Sequence, residues 1–314
     1  MKRVLSNILR RSLGYLPFVF CFVLLMYTSS FKEFTAWNGF TQTLLFLFVV
    51  CIPAYYTKRM SYVDIAWPWG LVLISVLILI FGEGYWLRTY CIAGMYFFSG
   101  LRMGIGALIL FKKGHLDSEL SRYKFQRKRW KKLGYKNGNS SLQYEIMIQC
   151  FANITFLAIP AMLQAFNMKE NIAPLELLGY IMWSLFFIME HIADLQKQNF
   201  LKKCFLQNKK RQVCNVGLWK YSRHPNYFAE WMVWNALILS SVPSLLYLLP
   251  YEESLLWIGL LASLIYISRI MYTTLVYYTG AIPSEYYSLK KRPDYKKHQE
   301  TTNMFFPGIP KKHF

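Results

Sequence analysis

Apolar residues in this chain come in long unbroken runs rather than in the period-two or period-3.6 alternation of an element with one wet face. Eight runs follow one another, at 13–29, 40–56, 65–81, 90–111, 143–166, 175–194, 227–249 and 254–278, separated by short polar connections. A helix needs about 20 apolar residues to cross the hydrocarbon layer of a bilayer, and no strand uses runs of this length. The pattern predicts an all-α polytopic membrane protein of about eight transmembrane helices, a single transmembrane domain over 1–314. Two connections, 112–141 and 196–222, are long enough to hold surface helices of their own.

Charge gives the expected orientation. All but five of the 36 Lys and Arg fall at the N-terminus, in the connections after even-numbered runs, or in the tail: ten lie within 112–136, eight within 197–223 and seven within 290–312. The five exceptions are Lys32, Arg88 and Lys169 on the opposite side, and Arg102 and Arg269 inside runs. The positive-inside rule therefore puts both termini on the cytoplasmic side. The same distribution redirects the net charge of +20 away from nucleic acid, which asks for a basic folded face, and towards anionic membrane lipids. The first run has a basic start, but no small-residue cleavage site follows Tyr27 and its removal would invert the charge pattern, so it is read as a span and not a signal peptide. Six cysteines without CxxC spacing predict neither a disulfide framework nor a metal site.

Composition, 55% hydrophobic and 18% aromatic, makes ionisable groups inside the runs conspicuous, and such groups are functional candidates by default. They are Asp64, Arg102, Glu190, Asp194, Glu230 and Arg269, all predicted at a similar depth towards the cytoplasm. Each has a plainer reading. Asp64 can N-cap its helix. Arg102, between Gly100 and Gly104, can snorkel or pair beside a close helix contact. Glu190 and Asp194, four apart on one face, can answer interfacial lysines, and Glu230 can pair with Arg269.

The densest polar constellation is Gly217-Leu-Trp-Lys-Tyr221-Ser-Arg223-His224-Pro-Asn226-Tyr227-Phe-Ala-Glu230-Trp. A basic pair precedes a proline, and Asn226, Tyr227 and Glu230 then open an apolar helix whose N-terminus favours anions. Arg223 brings the planar fork that suits phosphate or carboxylate. The segment from Tyr221 resembles the signature of the DUF1295 membrane proteins, relatives of the C-terminal domain of steroid 5-alpha-reductase and, more distantly, of sterol reductases and isoprenylcysteine carboxyl methyltransferases. Further blocks match in order: Tyr62-Val-Asp64-Ile-Ala-Trp67, Arg122-Tyr123 with a basic run to Trp130, Ile192-Ala-Asp194-Leu-Gln196, and Arg292-Pro-Asp-Tyr295 with Phe306-Pro307. The resemblance spans Tyr62 to the C-terminus and leaves 1–61 outside it.

That resemblance implies a membrane-embedded oxidoreductase, in the endoplasmic reticulum or a bacterial inner membrane. It would use NADPH, held without a Rossmann glycine loop, to reduce a carbon–carbon double bond of a lipidic substrate such as a steroid, an enone or a polyprenoid. It implies cofactor contacts by Asp194, Arg223, His224, Asn226, Tyr227, Glu230 and Tyr295, with Asp64 and Arg102 as candidates for polarising substrate. Asn226 followed by Glu230 resembles the reductases more than the S-adenosylmethionine-dependent methyltransferases, which usually carry an aromatic at the acid's position. Ala229 stands where the pattern usually has glycine. A methyltransferase and a non-enzymatic lipid-binding protein of the same fold are the alternatives.

Overall fold

The computed structural model describes residues 2–135, 138–209 and 211–311, with side chains from Leu9 onward. Met1, Lys136, Lys210 and Lys312, which the charge pattern assigns to the cytoplasmic side, lie outside the described residues. Among the described residues the secondary structure is helical throughout, and eight helices are long and apolar enough to cross a membrane: Leu9–Tyr27, Ser29–Thr57, Val63–Phe81, Trp86–Lys112, Asn139–Ala165, Pro174–Leu206, Pro225–Leu248 and Ser254–Lys291. The chain is a multi-pass integral membrane protein of all-α class, and each span overlays one apolar run.

Three spans reach well past their runs: the second begins at Ser29, eleven residues before its run, and the sixth and eighth continue beyond theirs. The sixth has 33 residues, about 50 Å at 1.5 Å per residue, against a hydrocarbon core of about 30 Å. Its last turns, beyond Asp194, fall where the pattern predicts a loop because Lys197, Lys202 and Lys203 follow the apolar run, yet polar residues continue a helix freely in water. The eighth runs on past a π-turn at Thr274–Tyr278 and a break at Gly280 into a further helix, Ala281–Lys291. A Cβ on Gly280 would stand 1.8 Å from the Leu275 carbonyl oxygen, so only glycine permits the chain to turn there.

By contacts the chain forms two compact units: Met1–Leu178 with Ile238–Ile267, and Gly179–Leu237 with Ser268–Phe314. In the first, the third and fourth spans pack at the Gly100-x-x-x-Gly104 spacing: a Cβ on Gly100 would meet the Pro68 carbonyl at 2.5 Å and one on Gly104 the Trp69 ring at 2.9 Å. The fifth span is interrupted at Thr155, between Asn139–Ile154 and the 3-10 turn Phe156–Ala158. Carbonyls released inside a membrane need donors, and the Asn38 amide supplies them, donating to Asn153 O at 3.2 Å and Ile154 O at 3.0 Å. The long connection 112–141 does hold a surface helix, Ser121–Lys132. Its Tyr123 and Trp130 pack into a core with Val50, Ala54, Met60, Val63 and Ile146.

The second unit is assembled by the signature turn. Ser222 Oγ donates to the Phe305 carbonyl at 2.9 Å, Arg223 N donates to the Asn303 carbonyl at 2.9 Å, and Gly308 N donates to the Tyr221 carbonyl at 2.9 Å. The tail is thereby sewn along residues 221–223, and Phe305 and Phe306 close an aromatic cluster with Phe228, Trp231 and Tyr272. Gly217 begins the turn at φ +52°, a left-handed value that favours glycine. A Cβ there would come within 2.4 Å of the Gln196 amide, whose Oε1 accepts from Leu218 N at 2.9 Å.

Candidate functional site

The signature turn lies against a cavity of about 280 Å³ within the second unit. Its wall brings together six of the residues singled out in the sequence: Asp194, Arg223, His224, Asn226, Tyr227 and Tyr295. It adds others to which the sequence assigns no site role, chiefly Lys197, Cys214, Arg292 and His298. Four segments supply them: the far end of the sixth span, the loop through Cys214 and Trp219, the start of the seventh span, and the helices Ala281–Lys291 and Tyr295–Thr301 with the turn between them.

Arg223 does not present a bare guanidinium. Its Nε donates to Glu285 Oε1 at 2.7 Å and a terminal nitrogen to Oε2 at 3.1 Å, a two-pronged ion pair. The other terminal nitrogen donates to the Gln299 carbonyl at 3.0 Å and to the Thr302 carbonyl. The side chain is buried, so the charge assigned from sequence to a ligand's phosphate is met by Glu285. That carboxylate also accepts from Gln299 Nε2 at 2.5 Å and takes His224 Nε2 at 3.2 Å. Arg223 is thus the rivet of the cavity wall, an arrangement typical of arginine in a buried bidentate pair.

Burial lowers the pKa of His224 despite the carboxylate beside it, so near neutrality its Nε2–H is a neutral donor to Glu285. The imidazole stacks on Tyr227, with ring centres 5.4 Å apart and planes 7° from parallel. His298 is lowered to about 4, first by burial and then by the charges of Arg223 and Lys197. Burial and the Glu285 charge push the Tyr295 phenol up, keeping it protonated, and burial likewise raises the Cys214 thiol. Neither histidine therefore adds positive charge.

The charge that faces the cavity is that of Lys197 and Arg292. Among the described residues neither has a carboxylate partner. Lys197 Nζ rests 4.1 Å above the centre of the Trp219 ring, while Arg292 donates to the Gln212 carbonyl at 2.9 Å and to Ser288 Oγ at 3.0 Å. Asn226 donates from Nδ2 to Asp194 Oδ1 at 3.0 Å, and its own Oδ1 is buried with no hydrogen-bond partner. An unmet buried carbonyl is costly, and Asn226 is one of the residues that line the cavity. Together these groups offer two cations, an anionic oxygen acceptor, an amide acceptor and a neutral aromatic face, a set that suits a phosphorylated, hydroxyl-bearing, partly aromatic molecule.

The remaining sequence candidates stand elsewhere. Glu230 and Arg269 belong to the second unit but do not line this cavity, and Arg269 is exposed. Glu190 is buried on the sixth span, also outside the lining. Asp64 and Arg102 belong to the first unit. Asp64 does not cap: the N-cap position is Tyr62, and the Asp64 carboxylate accepts instead from Arg122 and Tyr123 of the surface helix. Arg102 is half-buried.

Comparison with known proteins agrees with the signature. The family model described as "Protein of unknown function (DUF1295)" matches residues 47–302, beginning inside the second span rather than at Tyr62. A relative in Schizosaccharomyces pombe, described as an uncharacterized protein, is 24% identical over 286 residues, covering 82% of this chain and 76% of its own length. No solved structure matches significantly. With most of its length inside the family model, and with every residue that lines the cavity inside it too, the chain belongs to the DUF1295 family.

Proposed function

We propose that this chain is a membrane-embedded reductase that draws NADPH from the cytosol and reduces a carbon–carbon double bond of a lipidic substrate. The observation that carries the reading is the pairing, on one wall system, of two cations without carboxylate partners, Lys197 and Arg292, with an amide oxygen of Asn226 that lacks a donor. The residues fit the cofactor's chemistry. Lys197 and Arg292 suit its phosphates, the Asp194 carboxylate its ribose hydroxyls, and Asn226 Oδ1 its carboxamide N–H. The cavity, about 280 Å³, sits at the small end of ligand pockets, roughly 300–1,000 Å³, and so takes part of a dinucleotide rather than all of it.

When bound, reduced nicotinamide supplies a hydride; the protein's own contribution is to bind and orient. Asp194 holds the Asn226 amide so that its oxygen turns to the ligand, and Glu285 holds Arg223 and His224 so that the wall keeps its shape. The protonated Tyr295 phenol and neutral His298 line the cavity without adding charge. The order Asn226–Glu230 in the turn supports a reductase over a methyltransferase. Asp64 has its carboxylate committed to Arg122 and Tyr123 and receives no step in this reading, nor does Arg102.

The test is ligand binding by the purified protein. NADPH is expected to bind and to raise the melting temperature, and Lys197→Gln and Arg292→Gln are each expected to weaken it by about 1.5–3 kcal/mol, one charge-assisted hydrogen bond, with the unliganded melt unchanged. Stabilisation by S-adenosylmethionine with indifference to NADPH would overturn the reading.

A further inference from the structure

The helix Ser121–Lys132 carries three arginines and four lysines. Two of the arginines turn to acids of the fold: Arg122 to Asp64, and Arg127 to Glu119 at 2.8 Å and to the Lys58 carbonyl at 2.5 Å. Its underside, Tyr123, Gln126 and Trp130, is buried, and Gln126 Nε2 and Trp130 Nε1 both donate to Glu145 Oε1, at 3.1 and 3.0 Å. The helix is therefore fixed in rotation as well as position. Its opposite face carries Lys124, Lys128 and Lys131, spaced i, i+4, i+7 on one side, and all three are exposed, as is Lys132.

Two features bear on what that face meets. The helix is tethered between the end of one membrane-crossing helix at Lys112 and the start of the next at Asn139, with eight residues separating it from the first and six from the second. Exposed apolar groups also stand at both ends of the connection, Leu133 directly after Lys132 and Leu110 and Phe111 before Lys112. Lysines beside apolar side chains suit the boundary between headgroups and acyl chains, where a soluble acidic partner would have no use for the latter. We propose that the lysine face of Ser121–Lys132 docks anionic phospholipid headgroups of the bilayer in which the chain sits. Arg122, Arg127 and the aromatics fix the helix, and the lysines supply adjustable point charges to mobile phosphates.

The experiment compares the wild-type chain with the triple variant Lys124→Gln/Lys128→Gln/Lys131→Gln in nanodiscs of phosphatidylcholine alone and with added phosphatidylserine. Melting temperature and retained lipid, by native mass spectrometry, are the readouts. Phosphatidylserine is expected to stabilise the wild type and to remain bound. The triple variant should melt like wild type in phosphatidylcholine yet bind phosphatidylserine more weakly by about fivefold per lysine, on the order of a hundredfold in all. A triple Lys→Arg variant should retain binding, which separates lost charge from a damaged helix. Equal phosphatidylserine binding by wild type and the Gln variant overturns the proposal. So does inositol hexakisphosphate, a soluble polyanion, binding as tightly as the lipid with the same dependence on the lysines, since that assigns the face to a soluble acidic partner.

Discussion

Replacing Glu285 by Gln removes one charge and almost no volume, and it separates two accounts of Arg223. The guanidinium is buried, and its two strongest bonds, at 2.7 and 3.1 Å, go to the carboxylate that the change neutralises. Breaking one side of a buried ion pair costs about 3–5 kcal/mol, because the surviving charge has lost its counter-charge while remaining out of water. At about 2–4 °C per kcal/mol for a chain somewhat smaller than this one, the melting temperature should fall by roughly 6–20 °C. The loss should begin locally. Arg223 holds the Gln299 and Thr302 carbonyls, so the tail should loosen and the buried Cys214 thiol should react faster with an alkylating reagent. The double variant Glu285→Gln/Arg223→Gln should recover part of the loss, a coupling of about 2 kcal/mol or more. If Arg223 instead served a ligand's phosphate, freeing it from Glu285 would leave stability almost unchanged and tighten anion binding. That outcome, or strict additivity in the double variant, would refute the reasoning.

Other expectations follow from the same geometry. Arg88 and Glu176 form a second buried ion pair, 2.7 Å apart, with Arg88 also holding the Asn167, Lys169 and Asn171 carbonyls; Arg88→Met should cost about 3–5 kcal/mol, and the added change Glu176→Leu should restore much of it in thermal unfolding. His298, lowered to about 4 from 6.5, binds its proton more weakly folded than unfolded, so its contribution should be complete above pH 6.5 and lost as pH falls towards 4, a slope that His298→Gln should flatten. Gly217→Ala should cost about 1–2 kcal/mol by unfolding, since it strains a φ of +52° and crowds Gln196. Cysteines placed at Lys113, Lys209 and Lys311 should all label from the cytoplasmic side, and labelling of Lys311 from the opposite side would remove the even-span topology.

The eight spans were legible because burial in lipid demands an unbroken apolar run, a signal that survives any packing arrangement. The signature turn was legible for a different reason: Arg223, His224, Asn226 and Tyr227 are adjacent in sequence and so must be neighbours in space. What escaped the reading is what the fold brings from afar. Glu285, the partner of Arg223, is 62 residues away in a helix that follows the break at Gly280, beyond the point where the apolar run ends. Its signal was present but faint, a lone acid between Thr279 and Pro293 in a basic stretch. Glu176 was missed for a related cause: one acid in the first turn of an apolar helix reads as a favourable end charge, while its burial against Arg88 depends on another span.

The same logic explains why Lys197 and the counter-ion of Arg223 were not legible in the sequence. Sequence gives Arg223 a place beside a helix N-terminus but says nothing of its counter-ion, whereas Lys197 looks like an ordinary loop residue because the apolar run stops before it. Once the sixth span continues to Leu206, Lys197 falls one helical turn beyond Asp194, on the same face, and both line the cavity. The family signature is then a wall-building element: its arginine fastens the tail and Glu285, and its asparagine and the polar turns of two extended helices line the cavity. A variant series that separates these two duties, Glu285 and Arg223 for stability, Lys197, Arg292 and Asn226 for binding under the proposed reading, is the direct measure of whether the turn holds the fold or touches a ligand in the cavity.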